Sequence, residues 1–150
     1  MNDKSLVRGN GVTLPRPTCA KVMPMGIRRV VPDIKSNRMD ESRAFYADFL
    51  GLNVAMDMGF IMTFVSPTNP TAQINVIRDD GSPTPFPNVT VEVADVNELH
   101  RQATARRLAI VYPLTDEPWG VRRFFVVDPN GTILNIMSHV SQSGTDEISK

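Results

Sequence analysis

The chain has little of several things, and each shortage excludes a class. A single cysteine, Cys19, rules out an internal disulfide and any thiolate metal cluster. Only two histidines are present, His100 and His139, too few for the imidazole-rich centres of most catalytic transition metals. Sixteen basic residues are matched by sixteen acidic ones, so there is no basic footprint for nucleic acid or for an anionic membrane surface. No apolar run approaches the ~18 residues of a membrane-spanning helix. The single cysteine makes a cytoplasmic location the default expectation, and the opening stretch lacks the apolar centre of a secretory signal. What remains is ordinary for one globular domain: 150 residues, 41% hydrophobic and 21% charged.

Residues 1–26 read as a flexible leader and residues 141–150 as a polar tail. Between them, residues 27–140 form one domain that says the same thing twice. Module one (about 27–79) begins with the strand-like "RRVVPDIKS". The segment "MDESRAFYADFLGL" follows, with Phe45, Phe49 and Leu50 at helical spacing and Gly51 where a helix stops. "NVAMDM", "FIMTFVS" and "AQINVIR" then read as strands. Module two (about 86–139) repeats the order: the alternating strand "NVTVEVAD", the helix "VNELHRQATARRL" with an acidic start and a basic end, then "AIVYPL", "VRRFFVVD" and "TILNIMS". Each half is β-α-β-β-β. "DDGSPTPFP" between them is a connector by its Pro, Gly and Asp content. In "DPNG", Gly131 supplies the positive-φ turn position.

The last strands of the two halves share an anomaly. "AQINVI" and "TILNIM" each place an asparagine, Asn75 and Asn135, inside an apolar strand. A buried amide left without partners costs about 1–3 kcal/mol, so these two face a wet cavity or a specific partner. Period-two geometry sets Gln73, Asn75 and Ile77 on one face, and Ile133, Asn135 and Met137 on the matching face of the final strand. Ile74, Val76, Leu134 and Ile136 then face the helices.

Three segments carry a resemblance: "ESRAFYADFLGL" (Glu41 to Leu52), "FPNVTVEVADVNEL" (Phe86 to Leu99) and "EPWGVRRFFVVDPNGTILNI" (Glu117 to Ile136). They resemble the glyoxalase/bleomycin-resistance/dioxygenase superfamily, also called vicinal oxygen chelate. Its fold is α+β, with paired βαβββ modules forming curved mixed β-sheets around a cavity. The "Pro-Trp-Gly-x-Arg" lead-in is especially similar to the bleomycin-resistance branch. Metal-dependent members place His, Glu or Gln on the inward faces of the first and last strand of each module. Carried over, these positions fall near Val31 and at Asn75, Asn88 and Asn135, none of which is His, Glu or Asp. The resemblance therefore implies a metal-free cavity with no cofactor, in which the three asparagines bind ligand. If Val31 and Asn88 face inward, Asp33 and Glu92, two residues along each strand, do so too, and that carboxylate pair with the amides could hold a hard cation such as Mg²⁺ or Ca²⁺. His139, beyond the last strand, reads as a surface histidine, and His100 as a solvated helix residue.

Other residues complete the candidate cavity. Met56, Met58, Phe60, Met62 and Phe64 run through two strands, as core packing or as an adaptable lining; Met58 and Phe64 are taken as ligand contacts. Trp119, the only tryptophan, sits in a turn before a strand, as a ligand platform or a subunit contact. Of Arg122 and Arg123, which alternate across the next strand, Arg123 is the choice for the cavity, with Met137 beside it. The function expected is a metal-free protein that sequesters a small, partly aromatic organic ligand, as a homodimer with grooves between subunits. The alternative is a glyoxalase-type lyase or isomerase, or a thiol transferase, using a divalent metal through non-standard ligands. A metal-free acid–base enzyme using Asp33, Glu92 and Tyr112 is a third class.

Overall fold

The computed structural model describes residues 26–140. The tail, and the leader up to its last residue, lie outside the described residues.

Eight strands form one mixed sheet in two βαβββ modules. Module one holds β1 (Arg29–Ser36), a helical segment, β2 (Asn53–Asp57), β3 (Ile61–Val65) and β4 (Gln73–Arg78). Module two holds β5 (Val89–Glu92), α2 (Val96–Ala105), β6 (Ile110–Asp116), β7 (Val121–Val127) and β8 (Ile133–His139). The strand order is β2-β3-β4-β1-β5-β8-β7-β6, so each module is a four-stranded unit and the two meet along β1 and β5. The first strand of each module runs parallel to its last, β1 with β4 and β5 with β8, whereas β1 and β5 are antiparallel. Asp33 lies opposite Asn75 in one parallel pair and Thr90 opposite Asn135 in the other. This register makes the two asparagines structural counterparts about a pseudo-twofold axis between β1 and β5.

Alternation along the strands divides the sheet into two faces. Phe124, Val126 and Ile136 pack with Val93, Val96 and Ala103 under α2. Met62, Phe64 and Val76 pack with Met39, Tyr46 and Ala47 under the first helix. These are the two cores, and their residues alternate with those of the opposite, concave face. Asp95 caps α2, accepting from the Glu98 N–H at 3.0 Å. The helix ends at Ala105, so Arg106 and Arg107 lie past it, and Arg107 takes the left-handed backbone (φ +59°) that Gly51 (φ +88°) takes after the first helix.

The first helix departs from the apolar spacing in its sequence. It begins as α1 (Met39–Arg43) and widens into π-helical turns over Ala44–Phe49. The wider turn presents Tyr46 and Ala47 to the sheet and leaves Phe45, Phe49 and Leu50 exposed at 50, 73 and 51%. A 3.6-residue period does not survive a π-turn, which is why the expected stripe is not the buried one.

Candidate functional site

The concave face encloses a cavity of about 560 Å³, within the range of small-molecule sites. Its floor is a polar chain across five strands. Thr63 Oγ1 on β3 donates to Asn75 Oδ1 at 2.6 Å, and Asn75 Nδ2 on β4 donates to Asp33 Oδ1 at 2.8 Å. From the other side, Thr90 Oγ1 on β5 donates to Asp33 Oδ2 at 2.7 Å, and Asn135 Nδ2 on β8 donates to Thr90 Oγ1 at 3.0 Å. All five residues are buried. Burial raises the Asp33 carboxyl above its ordinary range, against the hydrogen bonds from Thr90 and Asn75 and the charges of Arg123 and Arg29.

One acceptor in this chain has no partner: Asn135 Oδ1 is buried and unpaired among the described residues. Thr90 has one hydroxyl proton and gives it to Asp33, so it can only accept from Asn135, which fixes the amide with Nδ2 toward β5. Across from Asn135 on β7 the cross-strand neighbour is Phe125, which offers no hydrogen-bond donor.

The wall is built around Arg123. Its guanidinium carbon lies 5.2 Å from the Tyr112 ring centre, 5.2 Å from that of Trp119 and 4.9 Å from that of Phe125. Arg123 Nε donates to Glu117 Oε2 at 2.8 Å, and the Tyr112 hydroxyl donates to the same oxygen at 2.7 Å. A register shift on β6 lets Tyr112, paired with Phe125, stack on it at 4.6 Å. At the mouth, Phe60 at the β2–β3 turn meets Trp119 at the β6–β7 turn, with ring centres 5.5 Å apart. The two modules thus close over the cavity through one aromatic contact.

Beside the floor, Arg29 donates through Nε to Glu92 Oε1 at 2.6 Å and through Nη1 to Gln73, while His139 Nδ1 lies 2.8 Å from Glu92 Oε2. Burial pushes Glu92 up, but the hydrogen bonds from His139 and Arg29 outweigh it and hold the carboxylate below its usual range.

Six of the eight residues singled out in the sequence line this cavity: Asn75, Asn135, Trp119, Met58, Arg123 and Met137. Two do not. Phe64 is fully buried against Tyr46 in the core under the first helix, because on β3 it is out of phase with the cavity-facing Thr63. Asn88 is exposed at the entry to β5, where its Oδ1 accepts from the Ile133 N–H at 3.0 Å and ties β5 to β8. His139 is the last residue of β8 and not beyond it. His100 is half-buried, edge-on to Phe124 at 5.0 Å, and not a solvated residue. Sequence reasoning passed over Thr63, Thr90, Glu117 and Arg29. Thr63 and Thr90 carried the signal that marked the asparagines, a polar side chain among apolar strand neighbours.

The donor set does not fit a divalent metal. The four positions at which the resemblance implies metal ligands hold fully buried Val31, two buried neutral amides and the exposed Asn88. Both oxygens of Asp33 accept hydrogen bonds, and Glu92 is held by Arg29 and His139. Among the described residues no three His, Cys, Asp or Glu side chains converge.

Comparison with known proteins places this architecture. The model of the Glyoxalase/Bleomycin resistance protein/Dioxygenase superfamily matches residues 27–136, and the chain belongs to that superfamily. Among solved structures it is similar to a protein described as the NAD-dependent benzaldehyde dehydrogenase from Legionella pneumophila. That likeness has 20% identity and a TM-score of 0.62, over 73% of this chain and 98% of the other. A superfamily member from Vibrio splendidus 12B01 is similar at 18% identity and a TM-score of 0.56, over 73% of this chain and 97% of the other. The Mn(II)-bound glyoxalase from Novosphingobium aromaticivorans is similar at 20% identity and a TM-score of 0.52, over 78% of this chain and 40% of that one. At such identities the likenesses speak to the fold. No protein of curated function matches the sequence. No helix among the described residues is long and apolar enough to cross a membrane.

Proposed function

We propose that this protein binds a small, planar, partly aromatic organic molecule in the concave cavity without a metal, and sequesters it in the manner of the bleomycin-resistance branch. The observation that carries this reading is the aromatic wall: Tyr112, Trp119 and Phe125 around Arg123, with Phe60 meeting Trp119 at the mouth. Flat apolar faces and a fixed guanidinium suit stacking on a ring, and Met56 and Met58 adapt to its outline. Hydrolytic or isomerising chemistry would need an accessible base. Asp33 and Glu92 are both engaged, and Tyr112 spends its proton on Glu117.

The reading extends to a homodimer, and the exposed Phe45, Phe49, Leu50 and Trp119 are among the apolar side chains open to a partner copy. Trp119 fluorescence, titrated with a panel of mono- and bicyclic aromatic compounds, tests the ligand class. Saturable quenching that is lost in Arg123→Met supports it, and the absence of quenching across the panel overturns it. Size exclusion at two concentrations tests the dimer, which a strict monomer would refute.

A further inference from the structure

The floor and wall of the cavity together specify more than an aromatic ring. Asn135 lines the cavity, and its Oδ1 is an acceptor with no donor among the described residues that is covered in the ligand-free fold, so a ligand donor reaches it by displacing the side chains over it. A buried acceptor in a native protein finds a donor, and the protein supplies none on the β7 side, where Phe125 faces it. Arg123 presents the complementary need. Its Nε is bound to Glu117, and its terminal nitrogens donate to nothing among the described residues. Arg123 pairs with Met137 across β7 and β8, one step along the same face from the Phe125–Asn135 pair. The two residues are therefore diagonal neighbours on one face, about 7–8 Å apart at the backbone.

We infer that the cavity recognises an aromatic ring bearing both a hydrogen-bond donor, a hydroxyl or amino group set against Asn135 Oδ1, and a carboxylate or carbonyl set against Arg123. This inference rests on the binding function proposed above and names the chemistry of its ligand. The orientation of the Asn135 amide is imposed by the chain behind it. Asp33 is the terminal acceptor of that chain: it takes the Thr90 proton, Thr90 takes the amide N–H, and the amide oxygen is left for the ligand.

The same bookkeeping says what reverses it. In Asp33→Asn, the new amide keeps its oxygen for Asn75 and turns its NH₂ to Thr90. The Thr90 proton is then without an acceptor unless Asn135 rotates its oxygen inward to take it. The rotation presents an N–H to the cavity in place of an oxygen. Asp33 is thus a positioning residue for ligand polarity, acting through Thr90.

The test is calorimetry on the intact protein with three matched series: the hydroxybenzoates, the methoxybenzoates and benzoate itself. The hydroxybenzoate with the best-fitting ring position should bind at least tenfold more tightly than its methyl ether. That ratio should fall to near one in Asn135→Leu, and the preference should turn toward the methyl ether in Asp33→Asn. Arg123→Met should weaken the whole series while leaving the hydroxyl-to-methoxyl ratio in place. Circular dichroism of each variant shows that it is folded. Should hydroxy- and methoxybenzoates bind the parent protein equally, Asn135 Oδ1 is served by water and the inference fails while the binding function stands. Should no compound in the three series bind, and the wider aromatic panel also leave Trp119 unquenched, both fail together.

Discussion

Arg29 on β1 and Glu92 on β5 are directly opposed in the antiparallel register that joins the two modules, and a 2.6 Å ion pair closes the joint between them. Both side chains are mostly shielded, at 25 and 14% exposure, so the pair is less screened than a surface one. Arg29→Met leaves Glu92 with His139 alone and should cost about 1–3 kcal/mol in urea unfolding.

That pair also has a pH signature. The Glu92 carboxyl is lowered in the folded state, so its contribution is present above the ordinary value of 4.5 and is lost as pH falls through the lower folded value. Melting temperatures between pH 7 and pH 3 should show the parent well above Arg29→Met at neutral pH and the gap narrowing as pH falls below 4.5, because the parent has more Glu92 stabilisation to lose. Identical acid limbs would contradict the assignment.

Asp33 has the opposite sign. Its carboxyl is raised by burial, so the folded state holds the proton more tightly than the unfolded chain. Its contribution is fully present below the ordinary value of 3.8 and is lost as pH rises through the folded value. The stability of Asp33→Asn relative to the parent should therefore improve from pH 3.5 toward pH 7. A difference that does not change with pH would place the carboxylate in a better-solvated setting than the floor of this cavity.

Phe64 and Met58 should separate stability from binding. Phe64 is fully buried in the core under the first helix, and Phe64→Ala should cost about 3–5 kcal/mol. Met58 lines the cavity and is 43% exposed; Met58→Ala should change stability little and weaken aromatic ligands. Urea unfolding with fluorescence titration reads both. A large stability loss at Met58 would assign that residue to packing.

Divalent metals should not stabilise the fold. Zn²⁺, Ni²⁺, Mn²⁺, Fe²⁺ or Mg²⁺ added to the chelator-stripped protein should leave the melting temperature unchanged. A specific site at a hundred times its dissociation constant would add about 2.7 kcal/mol. A clear shift with one of them would mean that Asp33 and Asn135 rearrange into a ligand set.

The sequence by itself determined the repeat, the strand and helix order, the turn at Gly131 and the family, because each is written in local periodicity or in short runs of fixed spacing. It also marked Asn75 and Asn135, since an amide among apolar strand residues is conspicuous wherever the strand lies. On β4 and β8 those amides also told the cavity side from the helix side, whereas on β3 tertiary structure alone decided it. Period two separates Thr63 from Met62 and Phe64, but only the position of the helices says which set is covered. It also decided that Asn88, one residue ahead of β5, serves the Ile133 backbone, while Thr90 takes the inward place. The chain from Thr63 through Asn75, Asp33 and Thr90 to Asn135 draws on five strands of both modules. Its bonds depend on the register between strands far apart in sequence, which no local pattern encodes.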